Sequence, residues 1–455
     1  MRTVLALVVV VLVACGAAYL YAGHLPGPTI AIGRPARLVG ATTPVEVSVT
    51  APGGRLTALH VMFDEGGKTT DLGAFAGAAA TALPHQGDTV TWSATISRET
   101  VPGLASGPAT LRVTATRPVL FGLREATVEA TKPLTVRLEQ PVITVVSTHH
   151  YINVGGAEMV VYRVKPDDIA SGVMVGDRAY PGFPASGASF GDIHLTDPTL
   201  RVAFFSLLWN DPTSTNIHLF AEDEAGNHAR AELDSKAFPK PPRKSRIELT
   251  DAFLGRVVPA IEAGSPDVKP TGSLLDQFLV LNGDLRRRNA AKIEALAAQT
   301  SPEMLWRGQV FYNFANTKAE SAFADQRTYL YQGKEVDHQT HLGFDLASFA
   351  HAVVHAANRG KVIYAADLGI YGNCVVVDHG MGVQSLYAHL SSFGVAVGAM
   401  VEQGQELGRT GETGMAGGDH LHFTMLVNGQ MVNPIEWWDP HWIQDRVVRK
   451  LREAR

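Results

Sequence analysis

Short runs in which apolar and polar side chains alternate with a period of two, broken by Gly- and Pro-rich turns, fill this chain from about residue 26 to 235. Pro44-Val-Glu-Val-Ser-Val-Thr50, Thr89-Val-Thr-Trp-Ser-Ala-Thr95 and Ala109-Thr-Leu-Arg-Val-Thr-Ala115 show it most clearly. In extended backbone, successive side chains point to opposite faces, so each run buries one face and wets the other. Repeated between turns, the pattern calls for antiparallel sandwiches. Two immunoglobulin-like β-sandwich domains are expected, over residues 26–140 and 141–236, the second closing on the turn Glu224-Ala-Gly-Asn227.

A chain of 455 residues exceeds one ordinary core, so further domains follow. Phe238-Pro-Lys-Pro-Pro-Arg-Lys244 reads as a stiff linker. The period then changes: Leu274, Phe278, Leu281, Leu285, Ile293 and Leu296 fall near helical spacing, so residues 237–304 form a linker and helical connector. Arg286-Arg-Arg288 within it reads as a solvated helix face. From Gln309 onward strands return between frequent glycines, as in Lys361-Val-Ile-Tyr364, Cys374-Val-Val-Val377 and His422-Phe-Thr-Met-Leu-Val427. Residues 305–440 are read as a compact, mostly β domain, and 441–455 as a C-terminal helix.

Residues 1–23 carry an export address. A short positive start precedes an apolar run, residues 4–22, long enough to span a bilayer once. Leu12-Val-Ala-Cys15 also fits a lipoprotein signal, so membrane attachment through either a signal-anchor or a lipid is expected, with the bulk of the chain in the cell envelope. The exported part then keeps one thiol, Cys374, in an apolar strand where nothing would activate it. A net charge of −5, with no arginine-rich tract, gives no footprint for nucleic acid.

The chemistry concentrates in His341-Leu-Gly-Phe-Asp345 and His420-Leu-His422. Imidazole and carboxylate are the ligands zinc prefers. On extended chain His341 and Asp345 share a face, as do His420 and His422, so two neighbouring strands could offer three ligands and leave the fourth position to water.

These motifs, with Leu368-Gly-Ile-Tyr-Gly-Asn373, Val377-Asp-His-Gly380, Leu386-Tyr-Ala-His-Leu390, Gly404-Gln-Glu-Leu-Gly408, Gly411-Glu-Thr-Gly414 and the tail Val432-Asn-Pro-Ile-Glu-Trp-Trp438, resemble the lysostaphin-type (LytM-like, peptidase family M23) zinc endopeptidases that cut peptidoglycan peptides. The resemblance covers about residues 305–440 and implies Zn²⁺ held by His341, Asp345 and His422. It implies that His389 and His420 line the cleft without binding metal, acting on the attacking water and on the developing oxyanion. No carried position departs from the family pattern.

Competing readings of other residues are bland. His351 and His355 lack the intervening Glu of a zincin helix and read as surface; His379 reads as structural. Gly187-Ala-Ser-Phe-Gly191 matches a nucleophile elbow but lies between β segments, outside the α/β context that motif needs. The stretch from Arg327 to Asp337 is expected to line the cleft, with Tyr329 and Tyr331 as packing or substrate contacts. The expected activity is zinc-dependent cleavage of peptidoglycan stems or cross-links. The rival is a non-catalytic activator of a cell-wall amidase, members of which have typically lost zinc ligands. The sandwiches would be spacers, modules for substrate or envelope protein partners, or a lid over the cleft.

Overall fold

A computed structural model describes residues 2–314 and 316–454. Two compact units emerge: Met1–Pro141 with Glu222–Ala229, and Val142–Ala221 with Arg230–Arg455. The protein is mostly β, in antiparallel sheets, as the alternating runs require.

In the first unit, Thr42–Thr50 turns Val45, Val47 and Val49 fully inward and pairs antiparallel with Thr89–Ser97, Val47 opposite Trp92. A five-stranded sheet runs in the order Leu38–Val39, Arg124–Val136, Gly107–Val119, Ala58–Glu65, Lys68–Ala76. Phe63, Leu111 and Val113 from it share a core with the three valines. Ahead of these strands, Arg2–Ala22 is a helix whose 19 residues Val4–Ala22 have mean hydropathy 2.6, long and apolar enough to cross a bilayer.

In the second unit, Ala157–Lys165 and Leu200–Ser206 pair antiparallel and are almost wholly buried. The C-terminal sheet runs Lys318–Ser321, Phe344–Ala347, Leu421–Val427, Val383–Leu390, Asn373–Gly380, Gly360–Asp367, Met400–Val401, with Gln430–Val432 paired to Leu421–Val427. One continuous core joins the two sets of strands. Phe204 of Leu200–Ser206 packs 6.3 Å from Trp306 and 6.1 Å from Trp437, which lie 5.9 Å from each other. Glu436, in the tail motif, accepts hydrogen bonds from Asn153 Nδ2 (2.9 Å) and the Ala157 amide (2.8 Å). The C-terminal helical turns bring Lys450 Nζ to 2.8 Å from Glu158 Oε1, both side chains fully buried.

Three expectations change. Lys244–Leu249, placed in the linker by its prolines, is a strand pairing parallel with Asp325–Tyr331; its own side chains alternate half-buried and exposed, a signal too short to stand out beside Pro241-Pro242. The arginine run is not one solvated face. Leu281–Leu285 is a π-helical turn, which rotates the following residues relative to regular α spacing; Arg286 is half-buried while Arg287 and Arg288 stay exposed. Finally, His341 and Asp345 do not share one strand. Lys334–His341 ends at the first and Phe344–Ala347 holds the second, so Leu342-Gly343 turns the chain from one sheet into another.

Candidate metal centre and its cleft

Strand register brings the separated motifs together. Asp345 sits opposite His422 on one side and Ser321 on the other, and His341 is opposite Asp325. His341 Nε2 lies 2.9 Å from Asp345 Oδ1 and 2.9 Å from His422 Nδ1, and that Nδ1 is 3.1 Å from the same carboxylate oxygen. All three residues are largely buried, their ligand atoms within 4.8 Å of one another.

This triangle suits a cation better than protons. His341 Nδ1 is 3.2 Å from the Ala322 carbonyl and 3.1 Å from Ser321 Oγ, so its N–H belongs there and Nε2 presents a lone pair inward. His422 Nε2 is buried with no partner among the described residues. Two imidazole nitrogens and a carboxylate oxygen at such distances are a donor set that could hold a metal ion. The outer oxygen, Asp345 Oδ2, accepts from Arg327 Nη2 at 2.8 Å, and the same Nη2 donates to Ser321 Oγ at 2.9 Å. Arg327 and Ser321 thus hold two of the three donors in place, as outer-shell partners of metal ligands do. Burial raises the cost of the Asp345 charge, but the neighbouring His341, His420 and His422 prevail and hold its carboxyl well below the ordinary range.

Gly343 is required by packing: a Cβ there would stand 2.5 Å from His422 Cε1 and Nε2 and 2.9 Å from the Phe423 carbonyl. A pair of glycines shapes the neighbouring wall. Gly372 and Gly414 have φ of +59° and +69° and cross backbone to backbone; a Cβ on either would meet the other loop at 2.3–2.4 Å. That crossing delivers the Thr413 carbonyl to His389.

His389 and His420 flank the triangle, their ring centroids 4.9 Å apart. His389, with φ of +62°, places Nδ1 2.7 Å from the Thr413 carbonyl, so Nδ1–H donates there and Nε2 is left as an acceptor. Burial first, then His420 and His422, hold its pKa well below the ordinary histidine value. His420 donates from Nδ1 to the Gly418 carbonyl at 2.8 Å and sets Nε2 3.4 Å from Asp345 Oδ1. Burial alone would lower its pKa, but the Asp345 carboxylate outweighs it and the net shift is upward.

The other flagged residues fall elsewhere. His379 is fully buried, donating from Nδ1 to the Arg359 carbonyl (2.8 Å) with Nε2 2.7 Å from Ser385 Oγ. His351 lies in a turn and His355 in a strand, not on a helix. Ser189 accepts from the Leu195 amide in a loop. Tyr329 packs against Phe278 at 5.8 Å, and Tyr331 donates to Asp251 at 2.8 Å. Cys374 is buried, and its thiol is pushed up by desolvation.

A cleft of about 770 Å³ reaches His341 and His422 past Tyr371, with Arg286 and Arg287 on one wall. A smaller hollow of about 340 Å³ reaches Asp345 and His420; Arg327 borders both. Ser321 and Arg286 were not legible as site residues, because strand register brings the first here and the π-helical turn precedes the second.

Three donors that could hold a metal ion, flanked by two further histidines, thus lie together in one β domain. Residues 339–434 match peptidase family M23, and the C-terminal part of the chain is a domain of that family. Over 95 residues the chain is 42% identical to DD-carboxypeptidase/endopeptidase Mpg of Neisseria meningitidis, covering 21% of this chain and 22% of that protein. It is 43% identical over 84 residues to the murein hydrolase activator EnvC of Escherichia coli, covering 18% and 20%. The matches thus span about a fifth of these relatives' lengths. A solved M23 peptidase from Pseudomonas aeruginosa is similar over 64% of this chain and 96% of its own, at 20% identity and a TM-score of 0.36.

Proposed function

We propose that this protein is a zinc-dependent endopeptidase acting on peptidoglycan peptides, held at a membrane by its N-terminal helix. The observation that carries the reading is the His341–Asp345–His422 triangle with His389 and His420 standing beside it, inside the segment that matches the peptidase family. His341 Nε2, Asp345 Oδ1 and His422 Nδ1 would hold the zinc, which when bound supplies Lewis acidity and lowers the pKa of water. Asp345 is kept from turning by Arg327, and His341 by Ser321 and Ala322.

His389, its Nδ1–H committed to Thr413, offers Nε2 to take a proton from the attacking water. His420, whose proton is favoured by Asp345, stabilises charge on the carbonyl oxygen and can supply the departing amine. The resemblance to Mpg supports a DD-peptide substrate, and that to EnvC keeps an activator role as the second reading.

The test is release of soluble fragments from purified peptidoglycan by the full chain, with and without chelator, beside His422→Ala. We expect both treatments to abolish release and re-added zinc to restore it only in the wild type. Release that survives chelation and His422→Ala would sink the reading. Bound zinc with no product, but stimulation of an added amidase, would favour the activator.

A further inference from the structure

The cleft that reaches His341 and His422 is lined by Lys244, Arg286, Arg287, Arg327 and His338, and among the described residues by no aspartate or glutamate, in a chain whose net charge is −5. Some of these cations are already neutralised: Arg327 by Asp345 and Asp325, Arg287 by Asp284. Arg286 and Lys244 have no ion pair among the described residues.

Arg286 is also pre-positioned. Its Nε donates to the Asn282 carbonyl at 3.1 Å and its Nη2 to Asn282 Oδ1 at 2.5 Å. Asn282 is fully buried, and its own Nδ2 donates to Asp337 Oδ2 at 2.7 Å. A half-buried guanidinium fixed by a buried amide, on a cleft wall without acids, is a ready partner for a carboxylate, which it binds with directional, charge-assisted hydrogen bonds. These residues lie in the helical segment and the strand before it, outside the segment that matches the peptidase family.

We propose that this cleft anchors an ionised carboxylate of the substrate, with Arg286 as the principal contact and Lys244 as a second cation. The preferred substrate is then a peptide carrying a free carboxylate close to the scissile amide, rather than an uncharged oligoglycine bridge. This rests on the peptidase reading above, which supplies the scissile bond.

Two synthetic cross-linked stem peptides, identical except that the residue donating the scissile nitrogen carries a carboxylate in one and a carboxamide in the other, test it on the zinc-loaded full chain in detergent. Hydrolysis is followed with the wild type, and equilibrium binding with a His420→Ala chain. We expect a preference of about tenfold or more for the carboxylate in both readouts, the scale of a hydrogen bond to a charged group. Arg286→Gln should erase that preference, and the exposed Lys244→Gln should reduce it without touching the Asn282 contacts.

Equal hydrolysis and equal binding of the two peptides would overturn the subsite and leave the peptidase reading standing. Selective binding of the carboxylate, lost in Arg286→Gln and reduced in Lys244→Gln, with no hydrolysis of either peptide would uphold the subsite and fail the peptidase reading. Binding of inorganic phosphate weakened by both substitutions, with no discrimination between the peptides, would reassign the cleft to a phosphate ligand and overturn the proposal.

Discussion

At the residue scale, the clearest demand is on a side chain that is missing. Gly343 leaves the space that the His422 ring fills, so Gly343→Ala must move either that imidazole or the Phe344–Phe423 backbone pair. Since His422 is a proposed ligand, we expect the variant to fold while its zinc affinity, measured by chelator competition, falls by about 10- to 100-fold. Unchanged affinity would mean that the ring can yield without cost. The histidine spacing was legible in the sequence because ligand type is chemistry; the need for glycine between the ligands was not, because it arises from a ring 79 residues away. His379 gives a pH prediction. Burial pushes its pKa from 6.5 down to about 4, so the folded state holds it neutral while the unfolded chain can bind a proton. Its contribution is therefore present above pH 6.5 and is lost as pH falls towards 4. Between pH 7 and 5 the wild type should lose about 2 kcal/mol more stability than His379→Gln, read from denaturant midpoints at each pH. Parallel losses in the two chains would remove His379 as the cause.

Elements were legible where periodicity ran long and opaque where it was short or locally overruled. Thr42–Thr50 and Gly107–Val119 alternate over enough residues to declare a half-buried strand. Lys244–Leu249 has only six residues beside a Pro-Pro pair, and it becomes a strand because Asp325–Tyr331 offers it an edge. The π-helical turn at Leu281–Leu285 has no composition that announces it, yet it decides that Arg286 lines the cleft. The C-terminal helical turns carry a sharper test. Desolvation raises the Glu158 pKa and lowers that of Lys450, so mutual attraction only partly offsets the cost of burying both. Lys450→Met would leave the Glu158 carboxyl buried without its closest cation, with the Tyr151 and Met159 amides as hydrogen-bond donors and Arg446 Nη1 3.8 Å away. A loss of about 3–5 kcal/mol is expected, whereas Glu158→Gln with Lys450→Met should recover most of it. Chemical denaturation of the single and double variants measures both; a double variant no better than the single would show that the ion pair itself stabilises.

For the molecule as a whole, sequence periodicity suggests a second sandwich over 141–236 and a compact β domain over 305–440 as separate blocks. Periodicity reports which face of a strand is buried, but not against which neighbour, and here the inward faces of both blocks meet. Phe204, Trp306, Phe311 and Trp437 are buried in one cluster, with Phe311 5.2 Å from Trp306 and 5.3 Å from Trp437. A core shared in this way couples the stability of both sets of strands, since a cavity on one side removes contacts from the other. Phe204→Ala, made within strand Leu200–Ser206, should therefore cost about 3–5 kcal/mol and should lower the protection of amides in Asn373–Gly380 along with those of Ala157–Lys165. Native-state hydrogen exchange resolves the two sets of strands separately. Faster exchange confined to Ala157–Lys165, with Asn373–Gly380 as protected as before, would show two foldons that merely touch. Joint loss would mean that residues 142–221 are part of what folds the candidate metal centre, and that a chain trimmed to residues 305–455 would expose the tryptophan cluster and fail to hold His341, Asp345 and His422 together.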